Sequence, residues 1–229
     1  LNALLITAPY SQAGKTVLTI ALAAYWQTYH RSKSLAILKP VDTGLQSGGD
    51  RSLYSQLFPL AQSLDEITPI AYHTPGLPPL AADSEGKQID LATLWGTLQQ
   101  LCAQRDWVLL EAFGGLGTPI THELTMANLA GDWRLPTVLV VPVTKDAIAH
   151  AVATVALARQ SKIALKGIIL NCIDPHAQEE MESWVAIGLL QSLTQVPVLG
   201  WLPHLTQPIA VQGMAQIAAN LDLERLLPS

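Results

Sequence analysis

Asn2-Ala-Leu-Leu-Ile-Thr-Ala-Pro-Tyr-Ser-Gln-Ala-Gly-Lys-Thr16 decides the fold of this 229-residue chain. An apolar run, Leu4, Leu5 and Ile6, enters a short loop that closes on Gly14, Lys15 and Thr16. A stretch rich in Ala and Leu, Val17 to Trp26, follows with helical spacing. Strand, loop and helix in that order make a phosphate-binding loop: backbone N–H groups turn inward around phosphate oxygens, a lysine reaches the terminal phosphates, and a hydroxyl faces Mg²⁺. Lys15 and Thr16 supply those last two groups. The strict G-x-x-x-x-G-K-[ST] spacing calls for Gly at position 9, where this chain has Pro9, so the flanking elements carry the reading. A Gly-Lys-Thr that merely starts a helix is the plainer alternative.

Working outward, the rest of the chain alternates strand and helix. The spacing predicts a helix over Thr16 to His30, a buried strand over Leu35 to Leu38, and a helix over Arg51 to Phe58 with Asp50 as its N-cap. Residues 59 to 89, punctuated by five prolines, read as one long irregular segment of the kind that covers a site. Further helices are expected over Leu91 to Gln104, Leu124 to Trp133, Asp146 to Arg159, Glu179 to Leu190 and Ile209 to Leu226. Strands are expected over Trp107 to Leu110, Pro136 to Pro142, Gly167 to Asn171 and Pro197 to Trp201. The Pro136 strand is the most hydrophobic and so belongs at the sheet centre. The pattern predicts an α/β fold of the P-loop NTPase type: a single doubly wound, mainly parallel sheet with helices on both faces, in one domain over residues 1–229. A composition of 49% hydrophobic and 14% charged residues suits strands buried on both faces and leaves room for buried subunit contacts.

Composition also excludes. A net charge of -5 without a Lys/Arg cluster argues against nucleic acid as a partner. Cys102 and Cys172 form no C-x-x-C pair, so neither zinc nor a disulfide framework is indicated, and Cys102 reads as a core residue. No apolar run is long enough for a bilayer and no basic leader precedes the first strand, which together with the reduced cysteines predicts a cytoplasmic protein with no membrane partner. No G-x-S-x-G or H-E-x-x-H is present, and lone His150 reads as structural.

Polar residues gather at the strand C-termini, the edge where open α/β sheets bind ligands. Lys39 ends the second strand before Pro40, and Glu111 ends the strand from Trp107 beside Gly114 and Gly115. Lys15, Thr16, Lys39, Asp50, Glu111 and Asn171 then supply two ammonium groups, a hydroxyl, two carboxylates and an amide. Phosphoryl transfer needs such a set: carboxylates and a hydroxyl for Mg²⁺, and cations over the developing charge.

Taken in order, the loop, Lys39-Pro-Val-Asp-Thr-Gly44, Asp50, Glu111-Ala-Phe-Gly-Gly115 with Thr118-Pro119, Asn171 and Leu199-Gly-Trp-Leu-Pro203 resemble dethiobiotin synthetase over nearly the whole chain. The resemblance implies an ATP- and Mg²⁺-dependent ligase that closes the ureido ring of dethiobiotin from 7,8-diaminononanoate and CO₂, through a carbamate and a carbamic-phosphoric anhydride. It implies catalytic roles for Lys39, which stabilises the carbamate, for Lys15 on the transferring phosphoryl, and for Ser11 beside the carbamate. Thr16, Asp50 and Glu111 hold Mg²⁺. Gln12, Ala13, Gly14, Lys15, Thr16, Val17, Asn171 and Pro203 bind ATP, with Asn171 on adenine. Thr43 and Lys39 contact the substrate, whose carboxylate reaches a helix N-terminus of the partner in a homodimer, near Ala147 and Ile148. Against the usual G-T-D-T-x-V-G-K-T loop, Ala8, Pro9, Tyr10, Ser11 and Ala13 are replacements. Asp146 stands where the family has glycine, so an N-cap carboxylate is expected to compete with the substrate carboxylate for helix N–H groups and to repel it. The loop also resembles that of cobyrinic acid a,c-diamide synthases, which activate carboxylates with ATP. An ATP-dependent switch of the partitioning kind, or a relative impaired in turnover, completes the alternatives.

Overall fold

The computed structural model describes residues 1–45, 48–205 and 210–228. Six parallel strands form the main sheet: β1 (Ala3–Thr7), β2 (Leu35–Leu38), β5 (Trp107–Glu111), β6 (Thr137–Pro142), β7 (Leu165–Asn171) and β8 (Val198–Leu202), in the order β2-β5-β1-β6-β7-β8. As expected, β6 lies centrally, next to β1. The first loop therefore opens between β5 and β6, where the chain passes from one half of the sheet to the other and ligands settle in such folds.

Both sheet faces are covered. Leu4 and Ile6 of β1 point to a core shared with α1 (Lys15–Tyr29) and α10 (Val211–Ala218). Ala3 and Leu5 point to the opposite core, shared with α5 (Leu91–Gln104) and α6 (Met126–Asp132). On that same face Leu139, Val141, Ile168 and Leu170 pack with α7 (Ala147–Gln160) and α9 (Ile187–Thr194). Strands buried on both sides have no polar face, which is why they read as continuous apolar runs.

Five expectations need correction. The segment over 59–89 is not one irregular cover. It holds α3 (Leu64–Ile67), β4 (Ile70–Tyr72) and α4 (Pro78–Ser84), and β4 pairs in parallel with β3 (Val41–Thr43), extending the chain beyond Pro40 as a second, two-stranded sheet. Local chemistry explains the helices: Ser63 and Glu66 form a reciprocal capping box, and Pro78 occupies the first turn of α4. Asp50 is not the N-cap of α2 (Gly49–Leu57). Gly48 takes that position at φ 89°, and Asp50 lies in the first turn with its carboxylate turned to Lys39. The helix expected over Glu179 to Leu190 is two, α8 (Met181–Trp184) and α9, broken at Ala186 with φ 41°. The C-terminal helix spans only Val211–Ala218, followed by a 3₁₀ turn at Leu223–Arg225, while Ile209 of the expected span lies outside the described residues. Cys102 is only partly buried at the edge of its core.

Candidate active site

β1 delivers the phosphate loop. Gln12 adopts φ 62° and Gly14 φ 102°, a pair of left-handed residues that curl the loop before α1 begins at Lys15. Among the described residues no side chain caps α1, whose first-turn N–H groups are left without a side-chain partner there. Gly14 is required on two counts. Its φ disfavours an L side chain, and a Cβ there would lie 2.0 Å from Nδ2 of Asn171. That Nδ2 donates to the Ala13 carbonyl at 3.0 Å, so β7 props the loop from below, leaving Asn171 Oδ1 for any further partner. On the β5 side Gly115 makes the close approach: a Cβ would stand 2.5 Å from the carbonyl oxygens of Ala8 and Pro9.

Ser11 and Gln12 are exposed, while Lys15 is buried and its ammonium donates to the Tyr10 carbonyl at 3.4 Å. Burial lowers the Lys15 pKa to about 8; nearby Glu111 opposes the shift and nearby Lys39 adds to it.

The chemistry centres on Glu111 at the end of β5, which is 1% exposed. Four groups converge on its carboxylate. Thr16 Oγ1 donates to Oε1 at 3.1 Å, and Lys39 Nζ lies 3.6 Å from the same oxygen. Thr19 Oγ1 donates to Oε2 at 3.0 Å, and the buried Tyr54 hydroxyl donates to Oε2 as well. Lys39, at the end of β2, also pairs with Asp50 and stands 3.8 Å from Asp42 Oδ1. Burial pushes the Asp42 carboxyl up and Lys39 pulls it down. Burial and the Glu111 charge hold the Tyr54 hydroxyl well above its ordinary range, so it is a donor.

Thus Lys15, Thr16, Lys39, Asp50 and Glu111, drawn from four segments, meet in one space, as the strand-end reasoning expects. Two ammonium groups face three carboxylates, Asp42, Asp50 and Glu111, leaving an excess of negative charge beside the Thr16 hydroxyl. Hard oxygen donors of net negative charge fit a divalent cation of the Mg²⁺ type. Sequence reasoning did not single out Asp42, Thr19 or Tyr54. Tyr54 had a signal: it follows Asp50 by one helical turn, on the same face.

The remaining residues lie around this centre. Thr43, at the end of β3, donates its hydroxyl to the Gly76 carbonyl at 2.8 Å. Val17 follows Thr16 in α1, partly buried. Pro203 follows β8 and borders a cleft with Trp201, Ile217 and Asn220. Ala147 is buried at the start of α7 and Ile148 half-buried beside it. Asp146 occupies the α7 N-cap position but makes no capping bond there, so the expected competition for helix N–H groups does not occur. Its charge instead reaches Tyr10: burial first, then Asp146, raises the Tyr10 hydroxyl pKa, and the Tyr10 ring meets His150 edge-on at 5.2 Å.

A phosphate loop beside a buried cluster of carboxylates and lysines at one edge of a parallel sheet defines a nucleotide-dependent protein of the phosphoryl-transferring class. A family model described as an AAA domain matches residues 2–212. An ATP-dependent dethiobiotin synthetase from Gloeothece citriformis is 52% identical over 99% of this chain and 99% of its own. Enzymes of the same name from Synechocystis sp. and Salmonella typhi are 47% and 32% identical, over 97% and 96% of this chain and 94% and 97% of theirs. The chain belongs to the ATP-dependent dethiobiotin synthetases. It is an ATP-dependent ligase of biotin biosynthesis, catalysing the carboxylation and ring closure that yields dethiobiotin. Among solved structures, the MinC:MinD cell division complex of Aquifex aeolicus aligns with TM-score 0.59 at 14% identity over 99% of this chain and 96% of that one. A ParA family ATPase of Chlorobium tepidum aligns at 0.54 and 13%, over 98% and 96%; both show the fold alone. Among the described residues no helix is long and apolar enough to cross a membrane.

Proposed function

We propose that residues 1–229 act as one catalytic domain, in a cytoplasmic homodimer, on 7,8-diaminononanoate, CO₂ and ATP. One substrate amine adds to CO₂ and loses a proton to give a carbamate. A carbamate oxygen attacks the γ-phosphorus and ADP leaves. The second amine then attacks the carbamoyl carbon, phosphate departs and the ureido ring closes. Lys39 holds the carbamate, with Ser11 beside it, and Lys15 neutralises charge on the transferring phosphoryl group. Gln12, Ala13, Gly14 and Val17 complete the phosphate loop, Pro203 and Asn171 border the base, and Thr43 contacts the diamine. Ala147 and Ile148 of the partner receive the substrate carboxylate at the start of α7. Thr16, Asp50 and Glu111 are the groups that would hold Mg²⁺, which when bound withdraws charge from the phosphoryl oxygens.

One observation carries this reading: the Lys39 ammonium lies buried among Asp42, Asp50 and Glu111, and close enough to Lys15 for the two charges to interact. Lys39 is thereby held beside the phosphate loop, which supports the role given to it at the carbamate. The test is phosphate release from the purified protein with ATP, Mg²⁺ and bicarbonate, with and without the diamine, together with the product mass. Diamine-dependent release of the ring-closed product, abolished by Lys39→Ala, is expected. Nucleotide binding without any diamine effect would overturn the assignment and favour an impaired relative or a switch.

A further inference from the structure

The Glu111 carboxylate is held asymmetrically. One oxygen, Oε1, faces Thr16 and the Lys39 ammonium. The other, Oε2, is taken by two donors from different elements: Thr19 Oγ1 on α1 at 3.0 Å and the Tyr54 hydroxyl on α2. Both donors are fully buried, at 0% exposure, so water does not compete for them. Tyr54 is also one of the largest buried side chains of the core shared by β1, β5 and α1, so packing fixes its ring. Within α2 it stands one turn beyond Asp50, and within α1 Thr19 stands one turn beyond Lys15 and Thr16. Each helix thus places one group in the cation space and a second behind it.

We propose that Tyr54, seconded by Thr19, is a positioning residue that pins Oε2 of Glu111, so that the carboxylate presents Oε1 alone to the cation between Thr16 and Asp50. The proposal rests on the reading of Glu111 as a cation ligand. The geometry assigns to Tyr54 two duties that a packing residue lacks. It fixes which oxygen is offered, and it prevents the carboxylate from rotating toward Lys39, where a second short ion pair would close the space. A hydrogen bond to a charged acceptor in a buried site is among the stronger kinds, and losing it frees this rotation.

The test uses Mn²⁺ as the probe, its binding to the ADP-bound full-length protein measured by electron paramagnetic resonance. Tyr54→Phe keeps the ring and removes only the hydroxyl. Its Mn²⁺ dissociation constant is expected to rise roughly tenfold, the equivalent of one such hydrogen bond, with ADP affinity in the absence of metal unchanged. If Tyr54→Phe does not fold, Thr19→Ala is expected to weaken Mn²⁺ in the same direction and Thr19→Ser to restore it, a rescue that loss of packing does not give. Unchanged Mn²⁺ affinity in Tyr54→Phe, or in Thr19→Ala where that variant carries the test, overturns the proposal. Glu111→Gln separates the two levels. If it binds Mn²⁺ as the unsubstituted protein does, the reading of Glu111 as a ligand fails, and the role of Tyr54 falls with it. If Glu111→Gln loses Mn²⁺ and Tyr54→Phe does not, only the positioning role fails.

Discussion

Lys15 should destabilise the free protein, and Lys15→Met should reveal it. Lys15 is only 6% exposed and, among the described residues, its ammonium has one hydrogen bond, to the Tyr10 carbonyl at 3.4 Å, with a second lysine near enough to repel it. Its pKa falls from the ordinary 10.5 to about 8. At 1.36 kcal/mol per pH unit that gap is worth about 3 kcal/mol, and the sign follows from proton binding. Below pH 8 both folded and unfolded chains carry the proton, so the full penalty is present. Between 8 and 10.5 the unfolded chain keeps a proton that the folded one has shed, and stability rises with pH. Above 10.5 both are neutral and the penalty is gone. Lys15→Met, close in volume and uncharged, should therefore raise nucleotide-free stability at pH 7 by about 2–3 kcal/mol, or several degrees in Tm for a chain of this length. Urea denaturation at pH 7 and pH 9.5 measures it: the gain of the variant should shrink by about half or more at the higher pH. A variant no more stable than the original protein at pH 7 would refute the reasoning, since it would mean that Glu111 fully compensates the burial of Lys15.

Lys39→Met should act in the opposite direction, costing about 3 kcal/mol in the free protein because Asp42, Asp50 and Glu111 lose their buried counter-charge; denaturation with and without Mg²⁺ checks it, the loss shrinking when the cation is supplied. Gly14→Ala combines a left-handed backbone with a Cβ 2.0 Å from Asn171 Nδ2, so a loss of about 2–4 kcal/mol, with nucleotide binding impaired, is expected by denaturation and calorimetry. Asp146→Gly removes the charge beside Tyr10 without removing a capping bond, and should lower the diamine KM at unchanged stability; an unchanged KM would show that the substrate carboxylate does not approach α7.

The sheet was legible because its strands are buried on both sides. Burial on two faces demands apolar side chains at every position, and runs such as Trp107 to Leu110 admit little else. The strand-end groups Lys39 and Glu111 were legible for the converse reason: a charged residue closing such a run has to be accounted for at the edge where ligands bind. The segment over 59–89 reads as irregular because prolines commonly break elements, whereas here Pro78 starts a helix and Ser63 with Glu66 caps another. Short β3 and β4 stabilise each other only through pairing between residues about 30 apart, which no local pattern announces. Tyr54 was hidden by its size. A tyrosine at helical spacing reads as core, and it is core; only the position of its hydroxyl against Glu111 separates packing from positioning.

The two lysines account for how the free site can hold so much charge. Lys39 is surrounded by carboxylates and Lys15 is not, although both ammonium groups are buried. Without a nucleotide, Lys39 acts as the internal counter-ion of Asp50 and Glu111, occupying the side of Glu111 that offers Oε1. A divalent cation held by those same carboxylates would take over that neutralisation and leave the Lys39 ammonium open to an anionic partner. Among the described residues Lys15 has no carboxylate partner of matching closeness, so an incoming phosphate would relieve its burial directly. A bound phosphate would recover the free energy stored in the buried Lys15 charge, and a bound cation would free Lys39 for the carbamate proposed above. Metal and nucleotide binding would accordingly be coupled through these two side chains. Which carboxylates each lysine already holds would then set how strongly the metal and the nucleotide favour each other's binding.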